Sequence, residues 1–134
     1  MFSGVAELLR VLHEAGYILT INTSSFSRNC QPLLQNANIE KYFDFIGTAE
    51  VSKSKIEKFN LVAEKYSASK EEMLFVTDTV GDIREAAAAG IPTIAVTWGA
   101  HKAHHFKKEP QENLFGIAES VPELKKMIED FYHE

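Results

Sequence analysis

The sequence predicts an α/β protein with a doubly wound parallel sheet. Amphipathic segments with helical spacing alternate with short apolar runs, and glycines or polar turns mark the boundaries between them. Such alternation is typical of βαβ units, whose parallel sheet is covered by helices on both faces. Ligands of these sheets bind outside the carboxyl ends of the strands. The polar residues that follow each predicted strand are therefore the candidates for function.

Helices are predicted where apolar residues recur every three to four positions and a capping or stop residue bounds the segment. Gly16 and Gly90 are the clearest stop signals, and the serines at 24–27 are suitable caps for the helix that follows them. The predicted helices are Val5–Ala15, Arg28–Asn36, Ile56–Tyr66, Ile83–Ala89 and Leu124–Phe131.

Strands are predicted where short runs of β-branched, aromatic and other apolar residues contain no breaker. The predicted strands are Tyr17–Thr23, Phe43–Gly47, Met73–Thr77, Pro92–Thr97 and Leu114–Ala118. No repeat, linker or low-complexity segment interrupts this order. We therefore expect the 134 residues to form a single domain, 1–134.

Composition excludes several classes of function. The net charge of −5 and the lack of a basic stripe with interleaved aromatic residues argue against nucleic-acid binding. The single cysteine, Cys30, rules out an intramolecular disulfide. Nothing in the sequence resembles a signal peptide or a membrane span, so we expect a cytoplasmic protein that does not bind membranes.

The most informative stretch contains two carboxylates at the end of a predicted strand. An apolar run ends at Asp78, a short turn containing Gly81 follows, and Asp82 lies at the mouth of the next predicted helix. Two carboxylates placed in this way suit a hard divalent cation, above all Mg²⁺. Asp82 as a simple helix N-cap is the alternative interpretation.

Two further polar groups precede these carboxylates in the chain. Thr23 ends the first predicted strand, and Lys53 or Lys55 opens the helix before the third strand. A hydroxyl with neighbouring backbone N–H groups, a lysine and a cation held by carboxylates are the groups that a phosphoryl ligand needs.

These segments resemble the haloacid dehalogenase-like (HAD) phosphohydrolases, in particular the phosphoglycolate-phosphatase-like branch with its Rossmann-like core. The segment 16–24 is similar to the second family motif, a strand ending in Thr or Ser. The segment 53–59 is similar to the third motif, with Ser54 and Ile56 in place of the usual prolines. The segment 75–82, FVTDTVGD, matches the fourth motif, with Thr77 where the family usually has glycine. The resemblance covers nearly the whole chain.

The resemblance implies a role for each candidate residue. Thr23 and the backbone of Ser24 would bind a substrate phosphate. Lys53, at the family's usual spacing, is the first choice for the lysine that neutralises its charge, and Lys55 is the alternative. Asp78 would coordinate Mg²⁺, and Asp82 would coordinate it or hold the lysine. The expected substrate is a small phosphorylated metabolite, and the expected reaction is magnesium-dependent phosphomonoester hydrolysis through an aspartyl-phosphate.

One family feature is absent from the 134 residues. HAD phosphatases begin with a strand that carries Asp-x-Asp, whose first aspartate is the nucleophile, and no Asp-x-Asp occurs here. The resemblance therefore identifies a HAD core without its central first strand or cap, and we expect this chain alone to be inactive. A non-catalytic phosphate- or protein-binding module is the alternative function. Removal of that strand would leave two exposed strand edges, which predicts a destabilised, rearranged or homo-oligomeric chain.

The same residue types also occur in other kinds of site. A signalling receiver domain uses similar groups, but its acidic residues come first and its hydroxyl and lysine last, the reverse of the order here. His101, His104 and His105 have helical spacing that suggests zinc, but without a fourth ligand the segment is interpreted as a solvated loop. Lys58 is interpreted as a solvated charge, and Cys30 as a small buried apolar residue.

Overall fold

The structure is a computed structural model that describes residues 4–99, 102–108 and 112–132. Helices and strands alternate along the chain, and every strand pair is parallel. These features confirm the predicted α/β class. The chain divides into two compact units, Met1–Tyr66 and Ser67–Glu134.

The first unit contains three helices and a two-stranded parallel sheet. Leu12 of the first helix and Phe59 of the third are among its buried apolar side chains. The elements are α1 (Val5–Glu14), β1 (Thr20–Asn22), α2 (Ser27–Asn36), β2 (Phe45–Gly47) and α3 (Lys55–Lys65), with a 3-10 turn at Glu40–Tyr42.

The described residues of the second unit form three helices and a three-stranded parallel sheet. The elements are β3 (Phe75–Thr77), α4 (Val80–Ala89), β4 (Thr93–Val96), α5 (Ala103–Lys108), β5 (Leu114–Ala118) and α6 (Val121–Tyr132), with a 3-10 turn at Lys70–Glu72. The strand order is β3-β4-β5, and all four residues of the central strand β4 are buried. Ala95 of this strand forms a buried core with Val80, Ile83 and Phe106, and Leu114 and Ile117 pack against this core.

The first strand is shorter than predicted, and Leu19 before it bonds to Asp44 in a mixed way. The backbone N–H of Leu19 donates to the carboxylate of Asp44 at 3.0 Å, while the Leu19 carbonyl accepts from the backbone N–H of Asp44 at 2.7 Å. Regular pairing begins only at Thr20, which lies opposite Phe45.

The helix after β3 begins earlier than predicted. Thr79 is its N-cap, and the Thr79 hydroxyl accepts a hydrogen bond from the backbone N–H of Asp82 at 3.2 Å. Gly90 closes the helix with a φ of 76°, a left-handed conformation that glycine adopts without steric cost. Asp82 therefore lies inside the first turn of α4, and its interpretation as the N-cap residue was wrong.

The prediction of a solvated loop after β4 was also wrong in part. Ala103–Lys108 forms the short helix α5, whose Phe106 is only 1% exposed. Six residues with one apolar anchor carry no helical stripe that a sequence pattern could reveal. His101 lies outside the described residues, as do the side chains of His104 and His105, and the zinc interpretation rests on these residues.

Within the described part of the chain, β4 has two partners and each of the other four strands has one: β1 and β2 pair with each other, and β3 and β5 each pair with β4. Oligomerisation through strand edges stays a prediction, as does the single-domain boundary 1–134.

None of the helices in the described ranges is long and apolar enough to cross a membrane.

Candidate functional site

The first unit presents a polar loop at the carboxyl end of β1. The backbone N–H of Thr23 donates to the carbonyl of Gly47 at 3.0 Å, which extends the β1–β2 ladder by one bond. The Thr23 hydroxyl accepts from the backbone N–H of Ser25 at 3.1 Å. A hydroxyl that accepts in this way still has its own proton to donate. Ser24 is exposed at the tip of this loop.

A carboxylate from the next strand end fixes the far side of the loop. Glu50 accepts hydrogen bonds from both the hydroxyl and the backbone N–H of Ser27, the first residue of α2. These bonds lower the pKa of the Glu50 carboxyl from 4.5 to about 2. The backbone N–H of Ala49 also donates to the carbonyl of Ser25 at 2.9 Å. The loop therefore has a defined shape before any ligand binds.

The third helix sends a lysine to the end of β1. Ser54 caps α3 by accepting from the backbone N–H of Glu57, so Lys55 is the first helical residue. The Lys55 Nζ donates to the carbonyl of Asn22 at 3.3 Å, and the Asn22 amide donates back to the carbonyl of Lys55 at 3.0 Å. Lys55 is 8% exposed, whereas Lys53 is exposed.

A second lysine of the same helix was missed by the sequence analysis. Lys58 is 0% exposed, and its Nζ donates to the carbonyl of Thr23 at 2.5 Å. The interpretation of Lys58 as a solvated charge was therefore wrong. Lys55, Lys58 and Phe59 form the buried face of α3. Their i, i+3, i+4 spacing was the signal that could have revealed this lysine.

The second unit places both predicted carboxylates on the turn between β3 and α4. Asp78 follows the last residue of β3, and Asp82 lies in the first turn of α4. The Asp82 carboxylate accepts from the Thr77 hydroxyl at 2.8 Å. A carboxylate near a helix N-terminus is further stabilised by the helix dipole.

The turn after β4 lies against Asp78. A Cβ atom built on Gly99 would lie 2.0 Å from Oδ2 and 2.5 Å from Cβ of Asp78, far inside van der Waals contact. The absence of a side chain at Gly99 is therefore a condition for the observed position of the Asp78 carboxylate.

The donor chemistry of this turn fits a hard cation. Mg²⁺ is commonly held by one or two carboxylates, with water and substrate phosphate oxygens completing its octahedron. Asp78 and Asp82 supply that number of carboxylates from one turn. No cluster of three or more His, Cys, Asp and Glu side chains occurs among the described residues, so these residues do not form an all-protein metal cage.

The first unit also contains a small cavity. Its volume is about 140 Å³, and it is lined by Ser27, Cys30, Gln31, Leu34, Ile46 and Thr48. Cys30 is half-buried, and burial raises the pKa of its thiol. A raised thiol pKa means little thiolate at neutral pH, which argues against a nucleophilic role.

The structure thus defines an α/β protein whose candidate residues follow the ends of parallel strands. In the first unit, Lys55 reaches the carbonyl of Asn22, the residue before Thr23, and in the second unit Asp78 and Asp82 share one turn. Lys55 and Lys58 donate to the carbonyls of Asn22 and Thr23, whereas the Lys53 side chain is exposed.

Comparison with known proteins identifies the family. The sequence pattern of the haloacid dehalogenase-like hydrolases matches residues 1–96. A phosphoglycolate phosphatase of Salmonella paratyphi A is 38% identical over 102 residues, which is 74% of this chain and 40% of that protein. The tyrosine-protein kinase PtkA of Mycobacterium bovis is 31% identical over 131 residues, which is 96% of this chain and 45% of that protein.

Solved structures agree on the fold. The crystal structure of a predicted phosphatase from Clostridium acetobutylicum superposes with a TM-score of 0.83 at 23% identity, covering 96% of this chain and 60% of the other. The chain belongs to the haloacid dehalogenase-like hydrolase family, as its motifs predicted. It spans about 40 to 60% of the length of these relatives.

Proposed function

We propose that this chain carries the phosphate-binding and cation-binding groups of a magnesium-dependent HAD phosphohydrolase that acts on a small phosphorylated metabolite. The observation that carries the proposal is the turn from Asp78 to Asp82, which offers two carboxylates directly after a parallel strand. Family membership and the relatives named as phosphatases support it.

The groups of the first unit serve the phosphate. The Thr23 hydroxyl and the backbone N–H of Ser24 donate to phosphate oxygens, as backbone N–H groups in a polar turn do in other anion sites. Lys55 supplies the positive charge. We prefer it to Lys53 because its ammonium group already reaches the end of β1, while Lys53 is exposed.

The groups of the second unit serve the cation. Asp78 and Asp82 would hold Mg²⁺ through carboxylate oxygens, and Gly99 leaves the space that Asp78 occupies. When bound, Mg²⁺ offsets the negative charge that develops on a transferred phosphoryl group.

The nucleophile is the group that this sequence does not supply. The family route runs through an aspartate of an Asp-x-Asp strand, and the 134 residues contain no such pair. We therefore propose that the chain alone binds phosphate and cation but does not hydrolyse p-nitrophenyl phosphate. This same observation favours the second candidate function, a non-catalytic phosphate- or protein-binding module on a HAD scaffold.

The phosphate role is tested by comparing two lysines that lie two residues apart. Binding of inorganic phosphate in the presence of Mg²⁺, followed by calorimetry, is expected to weaken about tenfold or more in Lys55→Met, since a charge-assisted bond contributes about 1.5–3 kcal/mol. In the matched variant Lys53→Met it should change less than about twofold.

Two outcomes would contradict the proposal. Loss of phosphate binding in Lys53→Met but not in Lys55→Met would transfer the role to Lys53. Hydrolysis of p-nitrophenyl phosphate by the unaltered chain, abolished by Asp78→Asn with Asp82→Asn, would show that it needs no Asp-x-Asp strand.

A further inference from the structure

The last residue of β3 makes a side-chain contact that glycine cannot make. Thr77 is 6% exposed, and its hydroxyl donates to Oδ2 of Asp82 at 2.8 Å. Most members of the family that this chain resembles have glycine at this place in the fourth motif. The contact is thus a property of this chain's own sequence.

The direction of the Thr77 hydroxyl is set by its surroundings. The backbone N–H of Thr79 donates to Thr77 Oγ1 at 3.3 Å. A hydroxyl has a single proton, so with an N–H directed at its oxygen the proton is available to the Asp82 carboxylate. The backbone N–H of Asp82 donates in turn to the Thr79 hydroxyl at 3.2 Å.

Two of these three hydrogen bonds hold Asp82, one at its backbone and one at its side chain. The N–H is held by Thr79 and the carboxylate by Thr77, which together restrict rotation of the carboxylate plane. Hydrogen-bond partners that orient a metal-ligating carboxylate typically affect metal affinity by about 10–100-fold.

We infer that Thr77 is a positioning residue that orients the Asp82 carboxylate toward a bound divalent cation. The inference rests on the proposed function, because it takes Asp82 to be a cation ligand. Thr77, which stands where the family usually has glycine, would thereby raise the affinity of Asp82 for the cation.

The test uses Mn²⁺ alone as the probe, with its dissociation constant measured by electron paramagnetic resonance on the full chain. Thr77→Val keeps the shape of the side chain and removes the hydroxyl, so affinity should fall about tenfold. Thr77→Ser keeps the hydroxyl, so its affinity for Mn²⁺ should stay within about twofold of that of the unaltered chain. Melting temperatures of both variants separate a folding defect from a loss of cation affinity.

The variant Asp82→Asn distinguishes failure of the positioning role of Thr77 from failure of the cation-binding role of Asp82. If Asp82→Asn weakens Mn²⁺ binding but Thr77→Val with an unchanged fold does not, only the role of Thr77 is overturned. If the unaltered chain binds no Mn²⁺, or Asp82→Asn binds it equally well, the cation role of Asp82 fails and the inference fails with it. Equal weakening in Thr77→Val and Thr77→Ser would also overturn it, since the hydroxyl would then not be the cause.

Discussion

Among glycine-to-alanine substitutions in the described turns, Gly99→Ala is expected to weaken cation binding most. The new Cβ would lie 2.0 Å from Oδ2 of Asp78 and 2.5 Å from its Cβ. A change of rotamer moves the carboxylate but not the Cβ, so the backbone of one segment must shift. Overpacking of this kind costs about 1–3 kcal/mol, and Mn²⁺ affinity should fall about tenfold or more.

Gly81→Ala is the matched control for this variant. Gly81 lies between the two carboxylates in sequence, and a Cβ built there meets no atom within 4 Å. Because it lies in α4, alanine should raise the free energy of unfolding by up to about 1 kcal/mol without changing cation affinity. Urea unfolding and Mn²⁺ titration of both variants check the pair, and a Gly99→Ala chain that matches the unaltered one in both would contradict the contact.

Removal of the Lys58 side chain is expected to produce the largest loss of stability among the lysines of α3. Its ammonium group supplies a donor to the carbonyl of Thr23, and its stem approaches Gly47, where a built Cβ would lie 3.2 Å from the lysine Cδ. Lys58→Ala loses the donor and leaves a cavity, which together should cost about 2–4 kcal/mol. Phosphate binding should weaken as well, because Thr23 loses a contact that fixes its carbonyl.

Two variants separate the causes of this loss. Lys58→Met keeps the stem and should recover part of the stability, leaving a cost of about 1–2 kcal/mol for the missing donor. Lys65→Met changes an exposed lysine of the same helix and should stay within about 0.5 kcal/mol of the unaltered chain. If Lys58→Ala unfolds at the same urea concentration as Lys65→Met, the buried bond to Thr23 does not stabilise the protein.

The fold class was predictable because its signals are local. An apolar run followed by a carboxylate, a glycine-containing turn and an alanine-rich segment specifies a strand, a turn and a helix without any distant contact. The structure has these elements as β3 and α4, with Asp78 between them and Asp82 in the first turn. Thr23 follows β1 by the same local logic, but local patterns did not decide between Lys53 and Lys55, because the contact of Lys55 with Asn22 joins segments that are 33 residues apart.

Contacts between distant segments were the part that local patterns could not reveal. Gly99 is separated from Asp78 by a helix and a strand, and no spacing rule links the two residues. Lys58 looked solvated because charged residues surround it in sequence. In the structure, a hydrogen bond to the carbonyl of Thr23 offsets part of the free-energy cost of burying its ammonium group. Thr77 was recognised as a departure from the family pattern, but its partner Asp82 was visible only in the structure.

The central claim is that the turn from Asp78 to Asp82 binds a divalent cation. Residue-specific line broadening by Mn²⁺ in amide nuclear magnetic resonance spectra tests it most directly, because broadening depends on distance from the bound ion. We expect the amide signals of residues 77–83 to broaden at the lowest Mn²⁺ concentration, and Asp78→Asn with Asp82→Asn to abolish this. Earlier broadening at the exposed carboxylates of α6, Glu123, Glu129 and Asp130, or an unchanged pattern in the double variant, would contradict the account.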